Sequence, residues 1–275
     1  MKLHELVTNR EFKILLKPDG LDRRTCITKL TEEIVSLCKE QKLPFAYLDN
    51  ATTALRNIYF YDTPEEDLRL NNIILRVREY RQNVWVDDFC EVTLKCRTND
   101  ITQSIKFDPT AKKDLQSRVR LKEEILRNAD IGSKRAIYSH NAVLDAVPID
   151  RLFDRSFGSV ATFFPDLSKL PIDKNAPVRI VGGRTNKILE ACMPLGNIVF
   201  GNGVQAHIDV AIWMRSVGDP MVGELSFAYK INKLNQSETK SHKRANQFFK
   251  KLQFQLADWL EVGTTKTALV YGKPE

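Results

Sequence analysis

An α+β fold built on a sheet that closes on itself around a charged interior is what this sequence predicts. Two observations point there. Strand-like segments carry charged residues at every second position, and amphipathic segments supply helices to surround the sheet. The alternation recurs six times: at Asn9, Glu11 and Lys13; at Arg76 and Arg78; at Thr93, Lys95 and Arg97; from Arg118 through Arg120 and Lys122 to Glu124; at His207 and Asp209; and at Glu224. Successive strand side chains point to opposite faces, so each segment puts its charges on one face. A single such strand is an ordinary half-buried strand with its charges in water. Six of them, mixing paired bases with isolated acids, suggest a lumen suited to a polyanion and its metal ions.

In chain order, strand-like Thr8–Leu16 leads into the turn Lys17-Pro18-Asp19-Gly20. From Arg23 to Gln41, Ile27, Leu30, Ile34, Val35, Leu37 and Cys38 recur at roughly helical spacing. Asn57–Asp62 reads as a strand, and Thr63-Pro64-Glu65-Glu66-Asp67 as a turn or a short helical start. Strands follow at Ile73–Tyr80, Phe89–Arg97 and Ser104–Phe107; Arg118–Leu126 fits either period and is assigned as strand on context. The stretch from about 129 to 176 breaks the pattern, with His140–Val147 and Ile149–Phe157 helical in character and Pro165, Pro171 and Pro177 beyond them. It reads as a helical insertion covering one end of the barrel. Strands resume at Val178–Arg184, Asn186–Ala191, Gly203–Arg215 and Val222–Lys230, and Lys240–Glu261 is a long helix with a strong apolar face. No internal repeat is visible, so residues 1–275 are expected to form one domain.

Composition narrows the partners. The chain has 275 residues, 42 Lys and Arg against 35 Asp and Glu, a net charge of +7 and 43% hydrophobic residues, as expected of a soluble globular protein with an anionic ligand. Phosphate compounds, nucleic acid and anionic lipid all qualify. The basic residues of Lys240–Glu261 read as a solvated face, which argues against nucleic acid. Met1–Glu5 has no apolar core of a signal peptide, and no run approaches 18 apolar residues, so neither secretion nor a membrane span is expected. Five cysteines without CxxC spacing read as free thiols of a reducing cytosol, and the expected location is cytoplasmic. Oligomeric state is left open.

The run Asn57-Ile-Tyr-Phe-Tyr-Asp-Thr-Pro, then Leu68-Arg69-Leu70, Ile74-Leu75-Arg76-Val77-Arg78 and Glu91-Val92-Thr93-Leu94-Lys95, resembles the CYTH family of triphosphate tunnel metalloenzymes. Four elements recur in order over a short stretch, with weaker correspondences along most of the chain outside the insertion. The resemblance implies a closed eight-stranded antiparallel β-barrel whose tunnel holds the site. It implies phosphate binding and catalysis by Lys13, Arg76, Arg78, Lys95 and Arg184, with Arg120 and Lys266 as further phosphate contacts. It also implies Mg²⁺ or Mn²⁺ on Glu11, Glu124, Asp209 and Glu224. Two family carboxylates are replaced here, by Asn9 and by Ser226.

The expected activity is metal-dependent hydrolysis of a triphosphate-bearing compound, inorganic triphosphate or a nucleoside triphosphate. The missing carboxylates keep open a weakened nucleotide- or polyphosphate-binding protein, and the same barrel could serve a class IV-like adenylate cyclase. Of the remaining residues, His207 shares the inward parity of Asp209, but a structural histidine is the simpler reading; Tyr59, Phe60 and Tyr61 are read as packing. Gly182-Gly183 before Arg184 reads as a turn or bulge, not a nucleotide-binding glycine loop.

Overall fold

The computed structural model describes residues 3–49, 51–82, 85–148, 155–183, 185–231, 240–262 and 264–272. Its strands are β1 (Asn9–Leu16), β2 (Phe45–Ala46), β3 (Ala54–Asp62), β4 (Ile73–Gln82), β5 (Trp85–Thr98), β6 (Ser117–Arg127), β7 (Lys134–Pro148), β8 (Arg155–Ser156), β9 (Pro177–Ile180), β10 (Ile188–Gly201), β11 (Val204–Met214) and β12 (Pro220–Lys230). The helices are α1 (Arg24–Glu40), α2 (Asp67–Leu70), α3 (Ile101–Lys106), α4 (Phe157–Ala161), α5 (Lys240–Gln255) and α6 (Lys266–Tyr271).

Strand pairing runs β10-β11-β12-β1-β6-β7-β5-β4-β3, and β3 then pairs back onto β10. The result is a ring of nine strands, with β2 appended to β10 and β9 and β8 to β3. Eight antiparallel strands were expected, and the ring differs in two ways. β1 and β6 pair in parallel, Asn9 opposite Lys122 and Lys13 opposite Leu126. The ninth strand is β7, in the segment expected to be a helical insertion.

Residues 140–147 lie in β7, not in a helix. Their Ala and Leu content suits a helix, but ladders to β6 on one side and β5 on the other bond the backbone along most of the strand, which outweighs so weak a preference. Tyr138, Ala142 and Leu144 are buried on one face while Ser139 and Asn141 line the interior, which is the period of a strand. Of the expected helix at 149–157, residues 149–154 lie outside the described residues, and Phe157 opens the short α4. Ser104–Phe107, expected as strand, falls mostly in α3, because the Asp100 carboxylate accepts the Thr102 N–H at 2.8 Å and starts a helix there.

The apolar core lies outside the ring, between sheet and helices. Phe12, Ile14 and Leu16 of β1 turn outward beneath Leu30, Ile34 and Leu37 of α1 and Ala245, Phe248, Phe249 and Leu252 of α5. Both helices repeat their apolar residues at three- and four-residue intervals, which makes one stripe per helix. Phe12 stacks on Phe227 at 4.6 Å between ring centroids, and Phe249 leans on it at 5.1 Å. Burying each such ring contributes roughly 1.5–3 kcal/mol. A second core under β4, β5 and β7 takes Phe157, Val160, Phe164 and Leu167. At Gly196 a Cβ would sit 2.6 Å from the Ala46 carbonyl oxygen, so glycine permits β2 to close onto β10. With apolar side chains drawn outward, the opposite parity of each strand is left to line the ring.

Candidate functional site

The ring encloses a cavity of about 800 Å³ whose wall includes Glu11 and Lys13 of β1, Arg56 of β3, Arg76 and Arg78 of β4, Lys95 and Arg97 of β5, Lys122 and Glu124 of β6, Glu190 of β10, Asp209 of β11, Glu224 of β12 and Lys266 of α6. Of the sequence-predicted residues, Lys13, Arg76, Arg78, Lys95, Lys266, Glu11, Glu124, Asp209 and Glu224 all come together there. Arg120 does not: it lies across from Asn141, one inward step past Lys122, and is not part of the cavity wall. Arg184 lies outside the described residues, just after a turn in which Gly182 and Gly183 both have positive φ. Asn9 accepts the Thr8 hydroxyl at 3.0 Å at the end of its ladder, away from the wall. His207 is exposed, with its ring 3.4 Å from the Asn197 side-chain oxygen. Phe60 packs edge-on to Trp213 at 5.9 Å, and Tyr61 is buried in the outer core.

Two buried glutamates organise the charges. The Glu124 carboxylate receives Lys95 Nζ at 2.6 Å on one oxygen, and Arg97 at 3.1 Å and Lys13 at 3.5 Å on the other. Burial works against its charge, yet Lys13, Lys95 and Arg97 carry its pKa well below the usual carboxylate range. Lys95 shares that one carboxylate with two other cations, so burial wins there and its pKa falls to about 7. Glu190, which the sequence reading did not single out, gathers Arg56 at 3.0 Å, Arg78 at 3.7 Å and Lys266 at 4.0 Å, and accepts the Trp213 indole N–H at 2.8 Å. Despite complete burial it is held down to about 2 by Arg78, Lys266 and Arg56.

The arginine pair on β4 is unequal. Arg78 is clamped between Glu190 and Glu91, the latter at 3.1 Å. Arg76 donates to Thr93 at 3.2 Å and reaches Glu91 only at 3.8 Å. Burial, and then repulsion from Arg78, take Arg76 down to about 10. It is a cation short of negative charge, as an arginine waiting for an anionic ligand would be.

Three further acids face the cavity from neighbouring strands. Glu11 lies 3.3 Å from Lys13 and 3.5 Å from Lys122, Glu224 lies 3.2 Å from Lys266, and Asp209 accepts the Ser226 hydroxyl at 3.0 Å. Burial raises Asp209 to about 6, with Glu11 and Glu224 adding repulsion that the Ser226 hydrogen bond only partly offsets. Among the described residues, no three acidic, histidine or cysteine side chains stand close enough to hold a metal ion by themselves. Both Glu124 oxygens are engaged by cations, so that residue anchors charge in the wall. Glu11, Asp209 and Glu224 offer hard oxygen donors, and they fit an ion such as Mg²⁺ that takes one or two carboxylates and completes its shell with water and phosphate oxygens.

No family model matches the chain, and no curated protein does. Among solved structures it is similar to a Hippeastrum protein, HpAC1, described as an adenylyl cyclase candidate with a dominant triphosphatase activity; identity is 14%, 97% of each chain is covered, and the TM-score is 0.48. An adenylate cyclase candidate from Bacillus halodurans shares 11% identity over 95% of this chain and 96% of its own, with a TM-score of 0.39. The S. pombe Pct1 RNA triphosphatase shares 11% identity over 90% of this chain and 72% of its own, with a TM-score of 0.24. Among the described residues no helix is long and apolar enough to cross a membrane.

Proposed function

We propose that the cavity binds a triphosphate-bearing compound and that the protein hydrolyses its terminal phosphoanhydride bond with Mg²⁺ or Mn²⁺. The observation that carries this reading is the wall itself: ten lysines and arginines against six carboxylates inside one ring of strands, a net +4. Such an excess, enclosed and partly desolvated, favours the binding of an anion of high charge. Arg76 and Arg78 supply planar pairs of donors that match phosphate oxygens, whereas Lys13, Lys95 and Lys266 supply point charges that tolerate a less defined geometry.

In the hydrolysis, Arg76, Arg78 and Lys13 stabilise charge as the terminal bond breaks, which is the main lever in phosphoryl transfer. The proton lost by the attacking water goes to solvent or to a wall carboxylate that does not hold the metal. A divalent ion held by one or two of Glu11, Asp209 and Glu224 together with the ligand would supply Lewis-acid stabilisation to the phosphate oxygens.

Phosphate release from inorganic triphosphate and nucleoside triphosphates, with and without Mg²⁺ or Mn²⁺, tests the proposal; cyclic nucleotide formation in the same assays would mark a cyclase instead. Absence of turnover on every compound, with binding retained, rejects hydrolysis. That outcome belongs to the second reading, a non-catalytic nucleotide or polyphosphate binder. The observation favouring it is Ser226, which occupies an Asp209 oxygen where the resembled family carries a second carboxylate. The Ser226→Glu variant is then expected to gain metal-dependent hydrolysis, and a variant that stays inactive counts against this second reading.

A further inference from the structure

Asp62, within the Asn57–Pro64 run, takes no part in the chemistry above, yet the residue is only 2% exposed. One oxygen accepts the N–H groups of Thr63 and Leu68, each at 2.8 Å. The other accepts the Arg69 N–H at 3.0 Å and the Tyr271 hydroxyl at 2.9 Å. The first three bonds are local and shape the turn between β3 and β4. The fourth joins residues 209 positions apart and ends on the last residue of α6.

That helix opens with Lys266, whose ammonium group lies 3.2 Å from Glu224 and 4.3 Å above the Trp213 ring. Six residues cannot hold a helix on their own. Leu269 and Val270 pack on the cluster of Phe60, Trp213 and Val222, and the Arg69 guanidinium covers the Tyr271 ring at 5.5 Å. These apolar contacts can slide. The hydroxyl–carboxylate bond cannot slide without leaving a buried carboxylate oxygen short of a donor.

We propose that Asp62 and Tyr271 are positioning residues: their hydrogen bond pins the end of α6 to the β3–β4 turn and thereby holds Lys266 in the cavity. The assignment rests on Lys266 contacting phosphate, as proposed above. It gives the Asp-Thr-Pro element a role in the site although Asp62 does not reach the cavity.

Tyr271→Phe removes only the hydroxyl and is the variant of choice. Inorganic triphosphate is titrated calorimetrically against the wild type, Tyr271→Phe, Lys266→Ala and the double variant. Tyr271→Phe is expected to weaken binding about fivefold to tenfold, and to add no further loss once Lys266 is absent. An unchanged affinity in the single variant, or an equal loss in both backgrounds, overturns the proposal. A second measurement needs no ligand. Backbone amides of Lys266–Tyr271 are expected to exchange with deuterium severalfold faster in Tyr271→Phe and in Asp62→Asn, with amides of β1 and β12 unaffected. Unaltered exchange in α6 sinks the latch whatever the ligand proves to be. If the wild type fails to bind triphosphate while α6 exchange responds as expected, the phosphate reading fails and the latch stands.

Discussion

Glu190 and Glu124 each gather three cations inside the same ring, but with different chemistry. Around Glu190 two of the three are arginines, and the carboxylate also holds an indole N–H. Around Glu124 two of the three are lysines, and burial pushes one of them, Lys95, down to about 7. Arginine stays charged under any ordinary condition, whereas a desolvated lysine yields. The Glu190 side is therefore a region of fixed charge, and the Glu124 side one whose charge depends on pH.

The sharpest way to break this comparison is to remove each anchor. Glu190→Ala leaves Arg56 and Arg78 buried without their shared carboxylate, and is expected to destabilise the protein by about 3–5 kcal/mol at any pH between 6 and 8. Glu124→Ala should cost less, because Lys95 can release its proton, and about 1 kcal/mol less at pH 8 than at pH 6. Urea unfolding of both variants at the two pH values measures this. Equal losses at both pH values for Glu124→Ala would refute the distinction.

A smaller effect separates the two arginines of β4. Arg78→Met breaks ties to Glu91 and Glu190 and is expected to lower stability by about 3 kcal/mol as well as weaken triphosphate binding. Arg76→Met removes an undercompensated cation, so stability should rise by about 1 kcal/mol while triphosphate affinity falls tenfold or more, roughly. Thermal melts paired with calorimetric titration read both. Destabilisation by Arg76→Met would show that Thr93 and Glu91 already satisfy it.

The smallest expected effect is on pH. The pKa of Lys95 falls to about 7 from a usual 10.5, so in this window the unfolded chain binds more protons than the folded one. Its contribution to stability therefore rises as pH climbs from 7 to 10.5, and the cost of its burial is fully present below 7. A bound polyanion favours the charged form, so binding takes up a proton, and affinity should weaken by at most about tenfold per pH unit above 7. Lys95→Arg keeps its charge and should flatten that slope between pH 7 and 9. A slope that survives the substitution assigns the proton elsewhere.

Much of the inner wall was legible because alternation is local. Glu11 and Lys13, Arg76 and Arg78, and Lys122 and Glu124 stand two residues apart, and any strand carrying them must place both on one face. The α1 and α5 stripes were legible for the same reason at the helical period. β7 was not, since its alanines and leucines suit a helix until two neighbouring strands bond to it. Glu190 escaped notice because it is one acid in an otherwise apolar strand, with nothing nearby in sequence to mark it. Its inward parity with Cys192 was the available signal, and Arg56 could have been found by the same parity, four residues ahead of Phe60.

Taken alone, the sequence determined which side of each charged strand would face its neighbours and which helices would cover the apolar side. Both follow from rules spanning a few residues. The folded chain alone decided that nine strands close the ring, that Arg56 meets a carboxylate 134 positions away, and that α6 returns Lys266 to the wall. Those choices depend on which distant surfaces bury the most apolar area and leave the fewest unpaired charges, a competition among long-range contacts that no local period encodes.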